Sequence, residues 1–198
     1  MGEANRRGTR EERVVQAMQR QVPSPIDLTK MQSFFVKDLA MSGARFLLIG
    51  GKAMQAVGIA RETADIDIWI DRDEETGDHV FAILKKFGDA PEVFRERIRH
   101  PNIRVPIPSE QNPEIDMLTS IGDLVFDEIY RSGRDIQWQS NVLRVPRVDD
   151  LIRIKEVAIV STEERIARGE WDAAGIEVAR RGIARDRQDI DLLRQRLV

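Results

Sequence analysis

The stretch FLLIGGKAMQAVGIARETADIDIWI, residues 46–70, decides how the chain is read. Its first four residues are apolar and stop at Gly50 and Gly51, the pattern of a short buried strand running into a tight turn. Residues 52–57 then have the texture of a short helix. After a loop at 61–64, residues 65–70 alternate strictly between Asp or Trp and Ile, and the β-branched isoleucines favour a strand. Side chains alternate across a strand, so Ile66, Ile68 and Ile70 share one face while Asp65, Asp67 and Trp69 share the other. The isoleucines are predicted to face a core and to leave two carboxylates together on an accessible surface. Trp69 continues that face, where it either packs or stacks on a base.

Outward from this stretch, Leu28, Met31, Phe35 and Leu39 recur at helical spacing and end at Ser42 and Gly43. On the other side, Asp71 or Asp73 can cap a helix carrying Val80, Leu84 and Phe87 and closed by Gly88. Proline-broken extended pieces follow, including 102–107, and lead to a predicted strand at 114–118, in which Asp116 points opposite to Ile115 and Met117. A helical stretch at 124–130 and a hairpin formed by 136–138 and 142–145 come next. Beyond Pro146 the periodicity is helical, in three groups: Leu151, Ile154 and Ala158; Ile176, Ala179 and Ile183; and Ile190, Leu193 and Leu197. The expected organisation is a polar tail or loose helix over 1–24, a main domain over 25–147 and a C-terminal helical region over 148–198.

Composition narrows the chemistry. The chain has 198 residues, no cysteine, two histidines and a formal net charge of −3, from 31 Lys and Arg against 34 Asp and Glu. Without cysteine there is no thiol nucleophile and no cysteine-based zinc or iron–sulfur site, and the absence fits a reducing compartment. The near-neutral balance argues against general polyanion binding, which needs many Lys and Arg on phosphates. No apolar run approaches the roughly 18 residues of a spanning helix, and the start lacks an apolar signal core. The expected location is the cytoplasm, with no membrane partner. Acidic side chains outnumber basic ones between Arg61 and Ser120, where a cation site would lie.

Two carboxylates at i and i+2 on a strand reach one hard cation, or a pair of cations about 4 Å apart. Oxygen-only ligands favour Mg2+ or Mn2+. If the strand bearing Asp116 pairs beside the first, three carboxylates converge. The Gly50–Gly51 turn lets backbone amides approach a triphosphate, and the start of a helix favours negative charge. A lone Asp-x-Asp is commonly a solvated strand face, and a lone Gly-Gly commonly serves turn geometry. Their combination after a buried strand and before a second strand is far more specific. Arg95, Arg97, Arg99 and Arg104 form a basic cluster that is either an exposed face balanced by Glu92 and Glu96 or a contact for a phosphate-bearing or acidic partner.

The combination resembles the minimal nucleotidyltransferases of the DNA polymerase beta-like superfamily, whose signature is an apolar residue, Gly-Gly or Gly-Ser, about a dozen residues, and Asp-apolar-Asp-apolar. Here Ile49, Gly50 and Gly51 are followed by 13 residues and then Asp65, Ile66, Asp67 and Ile68. The stretch is most similar to the bacterial abortive-infection and toxin–antitoxin branch. That branch carries a later Leu-Ile-x-x-Lys helix, matched by Leu151, Ile152 and Lys155, and a Lys/Arg-Asp-x-x-Asp-apolar helix, matched by Arg185, Asp186, Asp189 and Ile190. The separation between Lys155 and Asp186 is longer than usual, and Lys52 stands where a small residue is common. The resemblance implies an α+β nucleotidyltransferase fold with a small mixed sheet flanked by helices. It implies metal-dependent transfer of a nucleoside monophosphate from an NTP to a hydroxyl of RNA, a protein or a small molecule, with an antitoxin as a further partner. Asp65, Asp67 and Asp116 would be the catalytic and metal-binding residues. Gly50, Gly51, Lys52, Lys155 and Asp186 would bind the nucleotide. The rival readings are a non-catalytic nucleotide- or partner-binding protein on the same fold, and a structural protein with a chance motif.

Overall fold

The computed structural model describes residues 26–88, 90–107 and 115–197. The expected tail over 1–24 lies outside them. The chain folds as mixed α+β, with a small mixed sheet flanked by helices. Helix α1 (Lys30–Ser42) leads into β1 (Phe46–Ile49), α2 (Gly50–Ala56) and β2 (Ile66–Ile70). Helices α3 (Glu74–Phe87) and α4 (Val93–Arg97) precede β3 (Arg104–Ile107) and β4 (Ile115–Leu118). Helix α5 (Phe126–Ser132), the hairpin β5 (Arg134–Trp138) and β6 (Asn141–Val145), and the long helices α6 (Val148–Ala167) and α7 (Ala173–Arg194) complete the order.

The four-stranded sheet runs β1-β2-β4-β3. Strands β1 and β2 pair antiparallel with Ile49 opposite Asp67, whereas β2 and β4 are parallel with Asp67 opposite Asp116. The edge strand β3 is antiparallel to β4, and its Pro106 is tolerated there because an edge need not donate to a further strand. This order puts the two acid-bearing strands side by side.

The alternation in β2 sorts the interior as its sequence predicts. Ile66, Ile68 and Ile70 join the main core with Phe35 and Leu39 of α1, Val80 and Leu84 of α3, and Met117 of β4. On the opposite face Leu47, Ile49 and Trp69 form a smaller cluster with Ile121, Ile129 and Ile154. Trp69 is buried edge-to-face against Phe126, with ring centroids 5.3 Å apart, so it packs and does not stack on a base. Helix α6 serves both clusters, giving Leu151, Ile152 and Ile159 to the first and Ile154 to the second.

Local signals fix the helix ends. Thr29 and Gln32 form a reciprocal capping box on α1, and the Gln32 amide also donates to the Ala64 carbonyl at 2.8 Å, tying α1 to the loop before β2. Of the two candidate caps on α3 it is Asp73 that accepts from the Thr76 amide, while Asp71 takes Arg45 in an ion pair at 2.5 Å. The last two periodic groups of the C-terminal segment merge into the single helix α7, with Leu197 beyond its end, because no breaker separates Ile183 from Ile190. Among the described residues no helix is long and apolar enough to cross a membrane.

Adjacent phenylalanines test the orientation of α1. Phe35 has no exposure and meets Phe87 edge-to-face at 5.2 Å, whereas Phe34 is 53% exposed. Phe35→Ala is expected to lower unfolding free energy by about 3–5 kcal/mol and Phe34→Ala by less than about 0.5 kcal/mol, read from urea titrations.

Candidate active site

Gly50 has φ of +63°, and a Cβ built on it would lie 1.9 Å from Asp67 Oδ2. The constraint is double: the left-handed conformation disfavours a side chain, and the carboxylate already occupies the space. A Cβ on Gly51 would fall 2.7 Å from the Thr63 side chain. The glycine pair therefore serves first to bring the end of β1 against the residues that enter β2.

Asp67 is half-buried, and its proton affinity is raised to about pKa 6 by burial first and then by the charges of Asp116 and Asp65, with Lys155 and Arg104 acting in the opposite sense. Asp65 is exposed, just before β2 begins. Asp116 is buried on β4, and Arg104 closes on it from β3: Nε donates to Oδ1 at 2.9 Å and a terminal N–H donates to Oδ2. Pro106 is the register partner of Asp116, so Arg104 reaches it along the strand diagonal. The expected convergence of three carboxylates on a metal thus takes a different form. Asp67 and Asp116 are neighbours in the sheet, but both oxygens of Asp116 are taken by a guanidinium. Among the described residues, no three His, Asp or Glu side chains gather in an arrangement that would hold a metal ion.

The two C-terminal motifs meet although 31 residues separate Lys155 from Asp186. Lys155 Nζ lies 2.7 Å from Asp186 Oδ1 and 2.6 Å from Asp189 Oδ2, and Arg61 Nε lies 2.9 Å from Asp189 Oδ1. Lys155 and Asp189 are both buried, so each charge is sustained by the other. This network closes one wall of a cleft of about 300 Å³. Gly50, Gly51, Thr63, Asp65, Asp67 and Asp186 also line it, and Ile49, Ile121 and Ile154 form its apolar side.

Lys52 is not in that lining. It is 4% exposed, and its ammonium donates to the carbonyls of Asp27 and Thr63, so burial lowers its pKa and the charge serves to tie α2 to two loops. A lysine directly after the turn points inward here because residues 51–54 of the short helix α2 are all buried. In its place the cleft has Arg61, from the loop before β2, and Arg185, the basic residue of the C-terminal motif, neither of which the sequence alone marks as a binding residue. Arg185 makes no ion pair among the described residues, and its position directly before the motif aspartate was the available signal. Within the basic cluster the main balancing acid is Asp78 and not the expected Glu92 and Glu96: Arg95 grips it with two N–H groups at 2.8 Å and Arg99 with a third. Arg95 first and then Arg99 hold the Asp78 carboxyl down at about 2.

No protein-family model and no curated protein matches the chain. Among solved structures it is similar to an antigenic nucleotidyltransferase-like protein from Paracoccidioides brasiliensis, at 14% identity and a TM-score of 0.44, covering 89% of each chain. It is also similar to ANT(2")-Ia, solved in complex with adenylyl-2"-tobramycin, at 14% identity and a TM-score of 0.40, covering 83% of this chain and 95% of that one.

Proposed function

We propose that the chain is a metal-dependent nucleotidyltransferase that moves a nucleoside monophosphate from an NTP to a hydroxyl acceptor. The observation that carries this reading is the shared cleft, which is lined together by a side-chain-free Gly50–Gly51 turn, the Asp65–Asp67 pair and the basic side chains of Arg61, Lys155 and Arg185. Asp67 fits a cation in particular. Burial and neighbouring acids disfavour its negative charge, and a hard cation against its oxygens would relieve both.

In this reading Asp65 and Asp67 hold Mg2+ or Mn2+. The ion, when bound, neutralises charge that develops on the transferring and leaving phosphates. The Gly50–Gly51 backbone receives the triphosphate, with Arg61 and Arg185 supplying positive charge along its length. Lys155 orients Asp186, whose partly exposed carboxylate accepts from a sugar hydroxyl. The acceptor oxygen attacks the α-phosphorus, the new P–O bond forms as the bond to the bridging oxygen of the β-phosphate breaks, and pyrophosphate leaves. The hydroxyl proton passes to solvent. Most of the rate then comes from positioning and electrostatic complementarity. The acceptor is RNA, a protein or a small molecule, and a cognate antitoxin is the partner that the toxin–antitoxin resemblance suggests.

Incubation with each α-labelled NTP, Mg2+ and pooled RNA, protein and aminoglycoside acceptors is expected to leave label on one class. Chelation of the metal should abolish the transfer, and Asp67→Asn should lower it at least about 100-fold with an unchanged circular dichroism spectrum. Nucleotide binding without transfer to any acceptor would instead support a binding role.

A second expectation follows from the proton affinity of Asp67. Its protonated form does not ligate, so Mn2+ affinity should fall about tenfold per pH unit below about 6. Folding raises this pKa from its ordinary 3.8, so the contribution of the group to metal-free stability is full below that value and is lost as pH rises through about 6. Thermal melts of the metal-free protein at pH 5 and 7.5 should show that loss, and Asp67→Asn should remove it.

A further inference from the structure

Asp116 and Arg104 form a pair of unequal exposure. The Asp116 side chain is 8% exposed and fixed in a central strand, whereas the Arg104 side chain is 63% exposed and reaches over from the sheet edge. The fork engages both carboxylate oxygens at once, through Nε at 2.9 Å and a terminal N–H on the other oxygen. Bidentate pairing of this kind is planar, directional and charge-assisted, and it takes one lone pair on each oxygen, so that a metal would have to share the carboxylate with a seated guanidinium. Asp116 contributes nothing to the cleft lining, while Asp65 and Asp67 do. A cation bridging Asp67 and Asp116 would also stand beside a guanidinium already seated on the second of them, at the cost of like-charge repulsion.

Resting on the nucleotidyl-transfer reading, we infer that the site takes a single divalent cation, on Asp65 and Asp67, and that Arg104 supplies at Asp116 the positive charge a second cation would otherwise bring. Arg104 is then a positioning residue. It holds the Asp116 carboxylate out of the metal site while offsetting its charge beside Asp67. The pairing arises from the sheet order itself: β3 is antiparallel to β4 and carries the arginine two residues before the register partner of Asp116.

The test is a Mn2+ titration of the nucleotide-free protein at pH 7.5, read by electron paramagnetic resonance, on the natural chain, Arg104→Gln and Asp116→Asn. One ion per chain is expected in the natural protein, and one in Asp116→Asn with affinity within about threefold. Arg104→Gln is expected to acquire a second ion, bound about 10- to 100-fold more tightly than any second binding in the natural chain. Adding Asp116→Asn to that variant should remove it again. Arg104 is largely exposed, so its replacement is compatible with the fold, which circular dichroism checks. Two ions in the natural protein with one lost in Asp116→Asn would overturn the inference. No bound ion in the natural protein, or one unaffected by Asp65→Ala/Asp67→Ala, would overturn the metal-dependent reading on which it rests.

Discussion

The ion network of Lys155, Asp186, Asp189 and Arg61 holds the two halves of the site together. Lys155 and Asp189 lie almost entirely out of water, where an unpaired charge costs several kcal/mol. Each therefore needs the other, and they sit on different helices, α6 and α7. Arg61 extends the requirement to the loop before β2. Seating the helical hairpin in another way would strand a charge, so the ion pairs help fix the position of the cleft wall relative to the carboxylates. Helix α6 adds the apolar part by burying side chains in both clusters, one on each face of the sheet.

Much of this was legible in the residues because the signals were local. The strand, turn and strand of residues 46–70 could be read from alternation and glycine placement, and the isoleucine face from period two. Motif matching singled out Lys155 and Asp186, but no local pattern joins residues 31 positions apart, and their ion pair is visible only in the folded chain. What escaped depended on where a side chain points once tertiary contacts form. Lys52 follows the turn in sequence, but α2 buries that side of itself and the ammonium ends on two carbonyls. For Trp69 the residues left packing and base stacking open, and α5, which covers that end of the strand and takes the indole against Phe126, decides for packing. Arg104 could not be assigned to Asp116 before the strand order was known. In sequence it belongs to a run of arginines whose other members Arg95 and Arg99 meet Asp78.

The acidic excess in the middle of the chain is unevenly spent. Asp71 and Asp127 pair with Arg45, Asp78 with two arginines, and Asp116 with Arg104. At Asp67 burial and the charges of Asp116 and Asp65 outweigh those of Lys155 and Arg104, and its proton affinity is raised. Local charge imbalance of this kind is a common mark of functional sites, because a folded chain has little reason to keep a half-buried carboxylate beside another unless something else neutralises it.

The close approach at Gly50 reaches beyond this one molecule. Residue 50 can carry no Cβ while an aspartate stands at 67, since the two would share the same volume. The pair is therefore a joint constraint, and it can be used to judge alignments of distant sequences. A candidate homologue that keeps the aspartate but shows alanine or serine at the aligned glycine must have turned that carboxylate to another orientation or reshaped the turn. Such a sequence would have a different cleft floor however well its hydrophobic pattern matched.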